Sequence, residues 1–204
     1  MAASMDRKSL RPAAVLALAA LIAAGCEALP GGPPGSAGVA PPPAELAARL
    51  PLNAAGFRRG QTLPLGDRAG REIAYSSPGR TAAGATVEVF RPDEQAVPEG
   101  VESTAATAAF EPWVQDTLRP QAPRQVRERR RFLLPAAGSP ANRALLRCVE
   151  TEGSYGRERV QGLLCAGAVG GSLLRLRVAM PQRDPPAADA EAFAVAILDA
   201  LRGG

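Results

Sequence analysis

Two adjacent glycines, Gly170 and Gly171, do most to constrain what this chain can fold into. They separate two apolar runs, Val160 to Val169 and Ser172 to Met180. Glycine takes positive φ without steric cost, and the tightest hairpin turns need positive φ at their central positions. A hairpin here pairs Val169 with Ser172, which sets Cys165 against Leu176 and Leu163 against Val178. Beyond the turn, Leu174, Leu176, Val178 and Met180 share one face, while Arg175 and Arg177 share the other. Such alternation predicts an antiparallel sheet with one face buried.

The cysteines extend the register upstream. A two-residue turn at Gly156-Arg157 places Cys148 directly opposite Cys165. Cross-strand Cα separations of ~4.5–5.5 Å fall within the range a disulfide spans. Closing a loop of this size stabilises by ~3 kcal/mol in the chain-entropy account. A longer loop over 152–158 shifts this register, and two free thiols are the alternative. A redox or metal pair lacks support, because the chain has neither C-x-x-C spacing nor histidine.

Further strands are expected over Gly56 to Leu65, Arg71 to Ser76, Thr86 to Arg91, Gln125 to Leu134 and Ala144 to Glu150. The clearest early one is Thr86 to Arg91, where Val87 and Val89 alternate with Glu88 and Phe90. A helix is predicted over Ser103 to Leu118, with Ala106, Phe110, Trp113, Val114 and Leu118 on its apolar stripe. Ser103 or Thr104 can cap it, and Pro112 predicts a kink or restart near Glu111. Trp113 on that stripe is read as core. Asp189 to Leu201 closes the chain as a helix that covers the apolar sheet face through Phe193, Ala196, Ile197, Ala200 and Leu201.

The N-terminus reads differently. Arg7, Lys8 and Arg11 precede an uncharged segment, Pro12 to Ala24, that ends at Gly25-Cys26. This segment is shorter than the ~20 apolar residues of a membrane span and fits a secretory h-region. The run Leu21-Ile22-Ala23-Ala24-Gly25-Cys26 resembles the lipobox of a bacterial lipoprotein signal peptide, although Ala23 stands where leucine is usual. The resemblance implies cleavage before Cys26, diacylglycerol on its sulfur and an acyl chain of the palmitate type on the new terminus. It also implies a protein of the cell envelope facing the periplasm. Glu27 in place of aspartate after the cysteine favours the outer membrane over the inner one. An ordinary cleaved signal peptide is the alternative.

Three parts are therefore expected: a signal peptide over 1–25, a lipid-anchored linker over 26–52, and one α+β periplasmic domain over 53–204. Leu29 to Pro43 is dominated by proline and glycine and carries no apolar periodicity, which predicts a disordered tether. From Cys26 to about Leu50 it reaches at most ~75 Å. Ala44 to Leu50 has room for one or two helical turns.

The net charge is +4 over 204 residues, about +2 once the signal segment is removed, which makes nucleic acid a poor partner. The absence of histidine removes the usual activation of serine and cysteine nucleophiles and the commonest metal ligand. No catalytic residue, metal site or cofactor is expected. Asp93, Glu94, Glu99 and Glu102 read as an exposed acidic loop. Arg127, Arg129 and Arg131 share one face of a strand, either as a solvated sheet face that resists edge pairing or as a contact for anionic lipid or envelope polymer.

The fold class expected is α+β, an antiparallel sheet covered by two helices. The element order, with Leu173 to Met180 followed by the helix at Asp189 to Leu201, resembles the Mog1/PsbP-like fold. The chain also resembles uncharacterised proteobacterial lipoproteins, which imply no activity. The leading functional expectation is a non-enzymatic envelope lipoprotein that serves as an interaction or accessory module for an envelope protein or polymer. The alternative is a binding domain for a small or lipidic ligand between sheet and helices.

Overall fold

The structure, a computed structural model, describes residues 40–80, 82–93, 95–135 and 144–203. The signal segment, Cys26, the tether as far as residue 39, and Glu94 lie outside the described residues.

In chain order the elements are α1 (Pro43–Ala48), β1 (Asn53–Ala54), β2 (Phe57–Pro64), β3 (Gly70–Ser76), β4 (Gly84–Phe90), α2 (Thr104–Leu118), β5 (Arg124–Pro135), β6 (Ala144–Tyr155), β7 (Glu158–Val169), β8 (Ser172–Pro181) and α3 (Ala190–Arg202). The eight strands of the described residues form one antiparallel sheet ordered β1-β2-β3-β4-β8-β7-β6-β5. Each half is a meander of consecutive hairpins. Helix α2 carries the chain from β4 to the far edge, so the second meander runs inward and its last strand, β8, pairs with β4. The class is α+β, as expected.

Glycine chemistry sets the second meander. Gly170 and Gly171 both take positive φ, 57° and 76°, and join β7 to β8 in two residues. Val169 pairs with Ser172 and Cys165 with Leu176, the register read from the turn. Gly156, at φ 61°, lets β6 turn into β7 with Tyr155 opposite Glu158, and this tight turn brings Cys148 opposite Cys165.

The sheet is covered on both faces, not on one. Leu174, Leu176, Val178 and Met180 look towards α1 and α3, together with Ile73, Val87 and both disulfide cysteines. Phe193 of α3 sits within this core at 4.5 Å from the Phe57 ring and 5.1 Å from that of Tyr75. Burying a side chain of this size is worth ~1.5–3 kcal/mol in area alone. Helix α2 covers the opposite face, with Phe110 and Val114 against Val149, Leu164 and Ala166. Among the described residues three helices thus flank the sheet where two were expected. The alternation in β8 could not reveal this, because its second face carries arginines that themselves lie beneath or beside α2.

The folded domain also begins earlier than Asn53. Leu46 and Ala47 of α1 and the following Leu50 are buried in the core. Arg59 closes the helix end by donating to the carbonyls of Leu50 and Ala47 at 2.8 and 3.2 Å, and Tyr75 donates to Pro51 O at 2.8 Å. Upstream, the Arg91 guanidinium donates to Ala40 O, Pro41 O and Gly171 O. Residues 40–52, expected to be linker with room for one or two helical turns over Ala44 to Leu50, do carry those turns as α1 and pack on the domain. Their prolines help here, since Pro43 opens α1 at a position that needs no amide donor.

Helix α2 runs unbroken through Pro112, so of the kink or restart expected near Glu111 the restart does not occur. Its other amides, capped by the Ser103 hydroxyl accepting from Ala106 N at 3.1 Å, and its packing on the sheet outweigh one missing bond. Asp189 caps α3 in the same way, accepting from Ala192 N at 2.9 Å. Among the described residues no helix is long and apolar enough to cross a membrane.

Candidate functional site

Cys148 and Cys165 form a disulfide between β6 and β7, with Cα atoms 4.1 Å apart and no exposure to solvent. It staples two central strands beneath the α3 side of the sheet and serves the core.

The basic run on β5 is not the single face that its spacing predicts. A bulge between Glu128 and Arg130 breaks the alternation. Arg127 and Arg130 then lie on the α3 side, where they meet Glu152 and Glu150, each at 2.6 Å. Arg129 also reaches Glu150, at 3.3 Å, and Arg130 reaches Glu191 at 2.8 Å. Arg131 lies on the other side and pairs with Glu111 and Glu128 at 2.6 and 2.8 Å. Glu150 and Glu128 are held below the ordinary carboxylate range, in each case chiefly by the hydrogen bond from Arg130 or Arg131 respectively. Arg127, Arg129, Arg130 and Arg131 each already have a carboxylate, so this part of β5 offers an anionic surface little uncompensated charge. A hollow of about 620 Å³ beside it, near the start of α3, is lined by these same paired groups.

The face beneath α2 is less expected. Arg175 projects from β8 under the helix, where its side chain is only 17% exposed and its partner Glu88 on β4 only 22%. The two are 3.7 Å apart. The Arg175 guanidinium also donates to Ala109 O at 3.1 Å and lies over the rings of Phe90 and Trp113 at 5.1 and 5.4 Å. Burial pushes the Glu88 carboxyl up and the Arg175 guanidinium down, so desolvation outweighs the attraction at both partners. Trp113, expected to be core, is half-buried and provides one of the surfaces on which this arginine rests.

Past the C-terminal end of α2 the same face opens into a hollow of about 400 Å³. It exists because one cross-strand row of the sheet presents only small side chains there: Thr151, Gly162, Ala179 and Gly84. Leu164 and Val160 add apolar walls, and Tyr155, 59% exposed, stands at the mouth. Two guanidiniums reach this hollow. Arg124 donates to Thr117 O at 2.7 Å at the end of α2. Arg177, on the strand below, has neither a hydrogen bond nor an ion pair among the described residues, and no carboxylate pairs with Arg124. Although Arg177 reaches solvent, burial first and Arg124 second hold its pKa below the ordinary arginine value.

Arg177 and Tyr155 are the residues that reasoning from sequence passed over, and Arg124, which opens the basic run of β5, is brought to them by the end of α2. The signal was present in the alternation of Arg175 and Arg177 along β8. Reading it required knowing that a helix covers part of that face and stops short of the rest.

The chain matches no family model, no curated protein and no solved structure.

Proposed function

We propose that this chain is an envelope lipoprotein, lipidated at Cys26, whose domain binds a small ligand on the α2 face and performs no chemistry on it. The observation that carries the reading is the 400 Å³ hollow beyond α2, apolar in its walls and holding two guanidiniums without carboxylate partners among the described residues. Concave, mostly apolar sites with a few polar groups are the usual form of small-ligand pockets, which begin at ~300 Å³. This favours the small-ligand reading over an accessory module for an envelope protein or polymer, since the β5 arginines suited to a polymer are already paired. The closing step from β8 to α3 and the order of strands and helices support a Mog1/PsbP-like domain. The location rests on Cys26 and the segment before it, with the outer membrane as the favoured site.

Two measurements test this. An intact-mass spectrum of the protein from bacterial membranes is expected to show a chain starting at Cys26 with acyl chains added and two hydrogens lost to the disulfide. A thermal-shift survey of small apolar anions and neutral amphiphiles is expected to give stabilisation that disappears when Ala179→Phe fills the hollow. A chain of unmodified mass removes the lipid anchor, and a survey without any stabilising compound removes the binding role.

A further inference from the structure

We infer that the hollow beyond α2 selects a free, single-chain carboxylate amphiphile, its head held between Arg177 and Arg124 and its chain lying over Gly162, Ala179 and Leu164. This deepens the binding role proposed above and rests on it.

The argument begins with the cations. Arginine brought into a protein surface normally finds a carboxylate, and the β5 edge of this molecule shows how readily this chain supplies one. At the hollow that pattern stops. Arg177 has no partner among the described residues, and its nearest charged influence is a second cation, Arg124, which is tied only to a backbone carbonyl. Two like charges sharing an apolar wall repel, and partial burial adds a desolvation cost at Arg177. An anion between them relieves both costs, and guanidinium geometry suits a carboxylate in particular. The C-terminal end of α2 is the negative end of the helix dipole and works against an anion at the site. The positive field there comes from the arginines.

The walls specify the rest of the ligand. Thr151, Gly162 and Ala179 leave a smooth floor, and Leu164 and Val160 close its sides. Tyr155 offers an exposed aromatic edge at the outer end of β6. A volume of about 400 Å³ holds one chain of moderate length and excludes the paired chains of a bilayer phospholipid. Glu158 lies opposite Tyr155 at the mouth and pairs with neither arginine among the described residues, leaving the lining net positive by one charge.

The test uses the exported chain from residue 26 onward with Cys26→Ser, so that no detergent competes, and calorimetric titration with decanoate below its micellar concentration. Decanoate is expected to bind with a Kd below about 1 mM. Decanol, of the same length without charge, is expected to bind about tenfold more weakly. Arg177→Gln should weaken decanoate about tenfold and leave decanol unchanged. Ala179→Phe should abolish both, with unfolding midpoints confirming that each variant is folded. Phosphatidylglycerol vesicles should neither retain the protein nor displace decanoate. Equal binding of decanoate and decanol, or an Arg177→Gln variant that binds decanoate normally, overturns the charged-head assignment and leaves the hollow as a binding site. Retention by vesicles with no decanoate heat overturns the free-chain assignment in favour of a bilayer lipid. No heat from any compound overturns this inference and, for this site, the binding role beneath it.

Discussion

Cys148 lies opposite Cys165 across the β6–β7 ladder, in the same register that pairs Leu146 with Gly167 and Tyr155 with Glu158. The bond therefore holds two strands where the ladder already places them. Protein purified without reductant should show no free thiol at either position. Reduction, or the double change Cys148→Ala and Cys165→Ala, should cost about 3 kcal/mol, chiefly by freeing the unfolded chain. Denaturant unfolding with and without reductant measures it, and coincident curves would refute the staple.

Glu150 gives the fold an acid-sensitive contact. Arg130 and Arg129 pair with it and its folded pKa lies below its unfolded value of about 4.5. A depressed carboxylate stabilises above its unfolded pKa and loses that contribution as pH falls through the folded one. Glu150→Gln should therefore cost about 1 kcal/mol or less near neutral pH, the partners being exposed, and nothing once both states are protonated. Paired unfolding curves between neutral pH and strong acid check the convergence. Glu88 acts in the opposite sense. Burial raises its pKa, so its contribution is full below the unfolded value and fades as pH rises through the folded one.

Arg175 and Glu88 should behave as a unit. Arg175→Met leaves Glu88 poorly solvated without its cation, and a loss of about 3 kcal/mol is expected. Adding Glu88→Met should recover most of that loss, because two apolar side chains of similar length suit the space between β4, β8 and α2. A double-mutant cycle reads the coupling directly. Strict additivity of the two single losses would show that the pair does not act together.

The boundary of the domain can be tested by shortening the chain. A protein that starts at Ala40 should unfold as cooperatively as the longer one. A protein that starts at Asn53 loses Leu46, Ala47 and Leu50 from the core and should be markedly less stable. Leu46→Ala alone is expected to cost about 2–5 kcal/mol. Equal unfolding midpoints for the Ala40 and Asn53 starts would return residues 40–52 to the tether.

Local chemistry made the second meander readable in advance. Gly170-Gly171 and Gly156-Arg157 are turns whose backbone demands leave few registers, and both cysteines fell into the resulting ladder. The helices at 104–118 and 190–202 followed from apolar spacing, the first also from a cap offered by Ser103 or Thr104. Less legible was anything decided by a distant element. The two-residue strand β1, turned by Ala55 at φ 44° and Gly56, is too short to leave a pattern. The turns of helix α1 were legible over Ala44 to Leu50, but its place in the domain was not, because only Arg59, Tyr75 and the core behind it supply one. The bulge at Arg129 reverses the faces of the basic run, and one inserted residue has no signature in a stretch of arginines. The hollow depends on where α2 ends relative to a row of small residues contributed by four different strands, which no single stretch of sequence displays.

The three carbonyls gathered by Arg91 also settle how the domain takes a mechanical load. Arg91 directly follows β4, and Gly171 lies in the turn between β7 and β8, so the clamp on Ala40 and Pro41 is fastened to the middle of the sheet. Tension on the chain upstream reaches strands that have neighbours on both sides. It does not unzip the sheet from the exposed β1 or β5 edge. A pull on the chain upstream of Ala40 is therefore expected to find one of the last places in the domain to tear.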